Sequence, residues 1–282
     1  MKTSSAELKR TARENLSGKY GVAMLAMITV SLIPSALLYP FADNASHGGA
    51  SQKTIYYLAS IIITVLQLIL TCGQLRLHLN IATRQPYQFS DIFFSFRAHP
   101  QKIVGAYLLL MLYMIPAVLP GGILLALALS LFANSAPITG LAVIVLLAGM
   151  IIDIRIALQC SLVFFMLVDN PYASIRGTFR RSKELMEGNK LRLLYLQLSF
   201  LGFYLPAVLS CGIGLLWLMP YMQQTMVSFY LDVQETAALY LTDTVTELAK
   251  QFLELKIRPC EIIAEDEDTY ALLEDVCKQI DV

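Results

Sequence analysis

The chain has 282 residues, 56% hydrophobic and only 15% charged, with a mean hydropathy of +0.60. A soluble domain carries roughly 25% charged residues, so the composition excludes an ordinary soluble enzyme. It also excludes disorder over most of the chain, because disorder needs low hydrophobicity. The formal net charge of zero hides a segregation: residues 232–282 hold 13 acids and 4 bases, leaving −9, and the first 231 residues carry the compensating +9.

Residues 1–21 read as a basic amphipathic helix on the cytoplasmic side. Ser4-Ser5-Ala6-Glu7 has capping-box spacing, and Leu8, Ala12, Leu16 and Tyr20 recur every four residues with bases on the other faces. Residues 22–231 follow as a membrane domain. About 20 apolar residues cross the hydrocarbon core as a helix, and six stretches are expected to do so: 22–41, 55–75, 103–133, 138–168, 193–209 and 213–231. The first is longer than the 7–15-residue core of a signal peptide, so it reads as a retained helix with Pro34 as a kink. The last two come from one apolar run of about 58 Å if helical, nearly twice the hydrocarbon thickness. It divides at Ser210-Cys211-Gly212, with a further break expected at Pro220.

Fifteen bases fall in the N-terminal segment and in alternate connections, around Arg76–Lys102 and Arg176–Arg192, whereas the opposite loops hold only Lys53. The positive-inside rule then places the N-terminus in the cytoplasm, and six crossings place the C-terminus there too. A second basic helix is expected after Asn170-Pro171, a cap followed by Pro at the first helical position. Ile175, Phe179 and Met186 mark one face and Gly188 the end. Such helices lie in the interface with bases toward anionic headgroups. Lys9, Arg10, Arg13, Arg176, Arg180, Arg181 and Lys183 are therefore the lipid-headgroup candidates; as topology signals alone they would carry no lipid specificity. Residues 232–282 form an acidic cytoplasmic tail, with a helix over 237–256, the acidic run 265–268 and a shorter helix over 269–280. The tail is open to two roles, recruiting a protein partner or folding back onto the basic face.

Ionisable residues inside a span are costly and point to function. Asp153 and Arg155 qualify, with Gln159 a polar neighbour on the same span. They read either as snorkelling groups near the outer boundary or as part of a substrate or ion path. Gly122, Ala126 and Ser130 form a small-residue stripe suited to helix packing. The five cysteines and three histidines have no metal-ligand or disulfide spacing. No phosphate-binding or hydrolase motif occurs, no carboxylate pair suits acid–base work, and the basic loops lack the aromatics of a nucleic-acid module. No catalytic residue, cofactor, metal or nucleic acid is expected.

Several blocks resemble a family of bacterial multi-span membrane proteins, domain of unknown function 975. They are Leu8-Lys9, Ala12-Arg13, Leu16 and Gly18-Lys19-Tyr20; Asp169-Asn170-Pro171; Ser182-Lys183-Glu184-Leu185-Met186-Glu187-Gly188-Asn189-Lys190; Leu198-Ser199-Phe200-Leu201-Gly202; Gly212-Ile213-Gly214-Leu215-Leu216-Trp217-Leu218-Met219-Pro220-Tyr221; and Phe229-Tyr230. The resemblance implies a cell-membrane protein without an assigned reaction. The Ser-Lys…Met-x-Gly block is also distantly similar to the membrane domain attached to some glycerophosphodiester phosphodiesterases, whose separate catalytic part has no counterpart here. The chain departs from the family pattern in the long apolar stretch between Pro120-Gly121 and Arg155, and in the tail. The expectation is an all-α membrane protein of about six spans. It would act as a non-enzymatic scaffold or regulator that contacts anionic lipids or a membrane partner. The alternative is a transporter or export component using Asp153, Arg155 and the broken helix near Gly212 and Pro220.

Overall fold

A computed structural model of the chain describes residues 3–43, 48–131, 136–210 and 212–254, and every regular element among them is helical. The chain divides into two units, Thr3–Tyr230 and the segment from Leu231 onward. Among the described residues, five segments are long and apolar enough to cross a membrane: Tyr20–Phe41, Ala50–Ala82, Pro100–Ser130, Pro137–Asp169 and Lys190–Leu209.

Helix α1 (Ser5–Leu16) starts where its cap predicts, with Ser4 Oγ accepting from the Glu7 N–H at 3.3 Å. It buries Leu8, Ala12 and Leu16. Gly18, at φ +74°, turns the chain, so Tyr20 opens α2 (Tyr20–Leu38) instead of completing the α1 stripe. Helix α2 keeps Pro34 in its interior and buries Ala23, Ala26 and Val30. It packs on α3 (Ala50–Ala82), which is buried only from Ile69 onward.

A 3-10 turn (Phe89–Phe93) and α4 (Phe94–Arg97) fold back onto the end of α3. Their approach requires a glycine: a Cβ on Gly73 would stand 1.9 Å from the Ile92 carbonyl oxygen. Ile92 closes a cluster with Ala26, Leu77 and Ile81.

Helices α5 (Pro100–Leu131) and α6 (Ala136–Gln159) form a long antiparallel hairpin. At 32 residues α5 is about 48 Å long, well beyond the ~30 Å hydrocarbon core. The departure from the family pattern is thus accommodated by lengthened helices. The expected Gly122, Ala126 and Ser130 stripe is not the packing face, since all three are exposed. The close approach is one residue earlier. A Cβ on Gly121 would meet the Leu146 backbone at 2.5 Å, and one on Gly149 the Ala117 carbonyl at 2.2 Å. Three- and four-residue spacings recur in both registers, and only the partner helix selects between them. The 138–168 stretch is interrupted at Cys160–Leu162, after which α7 (Val163–Asp169) completes it.

The second basic helix, α8 (Ile175–Leu185), begins later than Asn170-Pro171. Its cap is Ser174, whose Oγ accepts from the Gly177 N–H at 3.1 Å. Asn170 instead bonds the Tyr172 N–H at 3.1 Å and forms a turn. Lys102 holds that turn by donating to the carbonyls of Pro171, Tyr172 and Ala173 at 2.8, 2.8 and 3.0 Å. Gly188, at φ +73°, follows the helix end as expected.

The run 193–231 is divided at Gly212, which has φ +82°, and also at Ser199-Phe200. This gives α9 (Lys190–Leu198), α10 (Leu201–Leu209) and α11 (Leu215–Glu254). Pro220 lies inside α11 and does not end it. Helix α11 returns antiparallel to α9 and α10: Arg192 covers the Phe229 ring at 5.2 Å, Phe200 meets Tyr221 at 5.4 Å, and a Cβ on Gly214 would lie 2.7 Å from Ala207 Cα. The expected sixth stretch, 213–231, is not among the five apolar segments, because Gln223, Gln224, Thr225 and Ser228 dilute it. Most of these polar groups are buried.

Helix α11 runs on as far as Glu254. Thr236, Thr242 and Thr246 each bond the carbonyl four residues back. The acidic run 265–268 and the helix expected over 269–280 lie outside the described residues.

Candidate functional site

Burial in the Thr3–Tyr230 unit is concentrated at one end. The cores of α3 beyond Ile69, α7, α8, α9 and α11 meet there, while the other half of the bundle exposes Leu, Ile and Phe side chains. Polar bonds tie this end together. Arg76 donates to the Val168 carbonyl at 3.3 Å, Tyr230 to Asp169 Oδ2 at 3.0 Å, and His78 Nδ1 lies 2.7 Å from Gln224 Oε1. His78 is fully buried, and its Nε2 has no partner among the described residues. The sequence reading did not join His78 to Gln224. A histidine and a glutamine just past the apolar run 55–75 and inside the last apolar helix were the available signal, but no spacing rule joins residues 146 apart.

The intramembrane candidates are not brought together. Arg155 is exposed and Asp153 half-buried, as two positions apart on one helix demand. One Asp153 carboxylate oxygen, Oδ1, is buried without a hydrogen-bond partner among the described residues. Gln159 contributes through its backbone, where its carbonyl accepts from Ser182 Oγ at 2.8 Å.

The headgroup candidates separate into three kinds. Arg10 is on the outer face of α1, paired with Glu7 at 3.4 Å and Glu14 at 3.7 Å. Arg176, Arg180, Arg181 and Lys183 are all exposed on α8, with Arg180 and Arg181 both reaching Glu184. Lys9 and Arg13 differ from the rest by lining a cleft of about 570 Å³ between α1 and the α10–α11 hairpin.

The lining of that cleft combines two kinds of chemistry. At its mouth Lys9 and Arg13 stand one helical turn apart, with Tyr20 and Tyr221 beside them. Lys9 Nζ donates to the Ser199 carbonyl at 3.2 Å and lies 4.2 Å above the Phe200 ring; Arg13 is close enough for its charge to act on the Tyr20 and Tyr221 hydroxyls. Burial, and secondarily the Arg13 charge, hold the Lys9 ammonium below its ordinary pKa of 10.5. Like charges at i,i+4 repel, and among the described residues no acidic side chain lines the cleft. The apolar part of the lining is Phe203, Pro206, Ala207, Trp217 and Leu218, with the Phe203 ring 5.5 Å from Lys9 Nζ. Sequence reading found the two bases through their spacing. It missed Tyr20, Trp217 and Tyr221, which reach the site only because Gly18 and Gly212 reverse the chain.

These features define a helical membrane protein with a cationic-mouthed, apolar-walled cleft beside its N-terminal helix. The chain belongs to a family described as protein of unknown function (DUF975), whose profile matches residues 1–237. No curated protein and no solved structure matches it.

Proposed function

We propose that this is a non-enzymatic scaffold or regulatory protein of the cell membrane that gathers anionic lipid at its cytoplasmic face. The single observation that carries the reading is the gathering of α1, α8 and their bases at the end of the bundle where burial is concentrated. Each base near such a surface attracts anionic headgroups by roughly 1 kcal/mol. Both termini belong to that face. The apolar run 55–75 of α3 fills the hydrocarbon core, so His78 stands about 4 Å outside it. Gln224 pairs with His78. From Gln224 back to Gly212 is about 18 Å of helix at most, so the tip of the α10–α11 hairpin reaches only some 14 Å into a ~30 Å core. The sixth segment then completes a re-entrant hairpin, and the chain returns to its starting side without a full crossing.

The test is selectivity for spin-labelled phosphatidylglycerol over phosphatidylcholine around the reconstituted protein. Neutralising Arg176, Arg180, Arg181 and Lys183 together lowers that selectivity several-fold; an unchanged value refutes the reading.

A second reading, a transporter or export component, rests on the buried Asp153 oxygen that has no hydrogen-bond partner among the described residues. It requires that Asp153→Asn and Arg155→Gln abolish an ion or solute flux through proteoliposomes. Equal flux with and without the substitutions removes it.

A further inference from the structure

We propose that the cleft between α1 and the α10–α11 hairpin is a binding site for one anionic phospholipid of the cytoplasmic leaflet, its phosphate held by Lys9 and Arg13 and one acyl chain lying along Phe203, Pro206 and Trp217. The inference rests on the lipid-contact reading and narrows it to one site and one ligand class.

Three observations converge on this occupant. The first is charge: two like cations face one opening with no carboxylate among the described residues that line it, while the neighbouring Arg10 is paired with Glu7 and Glu14 on the other face of α1. An anion removes the repulsion between Lys9 and Arg13, and a phosphate accepts from both. The second is the cleft's polarity. Beside the bases and the two tyrosines the rest of the lining is aromatic and aliphatic, which suits a hydrocarbon chain and not a free phosphate or a hydrated sugar. At about 570 Å³ the cleft is in the size range of small-molecule sites. The third is depth. Ser199 and Phe200, which hold Lys9, begin the α10 arm, and the arm ends at Leu209 about 14 Å further on. An acyl chain entering at the mouth therefore runs toward the bilayer midplane, parallel to its neighbours in the leaflet. Close packing of the arms keeps the base of the cleft narrow, since Gly214 lies against Ala207.

The experiment uses the full-length protein in nanodiscs of phosphatidylcholine containing a trace of phosphatidylglycerol with a diazirine on one acyl chain. Peptide mapping reads the crosslink. The expected adducts fall on residues 203–218, at least tenfold above the yield from the matching phosphatidylcholine probe. Arg13→Gln, at an exposed position, lowers the yield several-fold, and Lys9→Gln with Arg13→Gln removes the headgroup preference. Ala207→Trp fills the wall and lowers the adducts for both headgroups. Glycerol phosphate at millimolar concentration does not compete, which separates a lipid from a free phosphate; competition overturns the lipid assignment. Equal yields for both probes, or yields unaffected by Arg13→Gln and by Ala207→Trp, overturn the site. If the selectivity carried by the α8 bases persists while the adducts lack preference, the site alone falls. If that selectivity is itself absent, the broader reading falls.

Discussion

Gly73→Ala perturbs the fold where the Phe89–Phe93 turn meets α3. A Cβ there would lie 1.9 Å from the Ile92 carbonyl oxygen, whereas tolerated C···O contacts lie at about 3.3–3.6 Å. The Phe89–Phe93 turn must therefore recede by about 1.4 Å. That turn carries fully buried Ile92 into the cluster with Ala26, Leu77 and Ile81, and it holds Asp91 against Asn80 at 3.1 Å. Overpacking of this kind costs about 1–3 kcal/mol, and a stretched hydrogen bond adds about 0.5–1.5 kcal/mol. Alanine returns up to about 1 kcal/mol through helix propensity. The net expectation is a loss of about 1–3 kcal/mol, read as reversible unfolding in mixed micelles. Gly122→Ala, with nothing within 4 Å of the added carbon, is the control and stays within about 0.5 kcal/mol or gains stability. Ile92→Ala does not rescue Gly73→Ala, because the clash is with a backbone carbonyl. Wild-type stability for Gly73→Ala refutes the argument.

Lys102→Met removes three carbonyl bonds from the turn before α8. It is expected to destabilise by about 2–3 kcal/mol and to open residues 170–174 to limited proteolysis; unchanged cleavage contradicts the clamp. A cysteine at Ile213 reports hairpin depth. A re-entrant tip resists a membrane-impermeant maleimide from the outer side, and rapid labelling there shows a full crossing instead. Lys9 titrates below 10.5, so between its folded value and 10.5 the unfolded chain holds more protons than the folded one. Stability in lipid-free micelles accordingly rises with pH through that window. Lys9→Met loses this component, and phosphatidylglycerol flattens it by raising the folded value. A difference curve unaffected by the lipid counts against a phosphate at Lys9.

Much of the architecture follows from one-dimensional properties. Run length against bilayer thickness marks the five apolar segments, and the Ser4 cap fixes the start of α1. Gly188 and Gly212 mark chain reversals because positive φ favours glycine. The α8 boundary was misread because Asn170-Pro171 satisfies the same preferences in a turn as in a cap, and the choice depends on Lys102 reaching three carbonyls from another segment. The small-residue stripe was misplaced by one position for a similar reason: Gly121 and Gly122 are equal in sequence, and only α6 distinguishes them.

The sequence alone marked the apolar segments that fit a membrane and the grouping of bases in alternate connections, since transfer free energy and loop charge are sums over local residues. Tertiary structure decided which bases act together. Arg10 and Arg13 share one helix, yet Arg10 meets Glu7 and Glu14 while Arg13 faces the cleft. The apolar wall of that cleft comes from residues some 200 positions away, placed by chain reversal at Gly212 and the close contact of Gly214 with Ala207. Contacts of that separation depend on how helices pack, which no local pattern encodes.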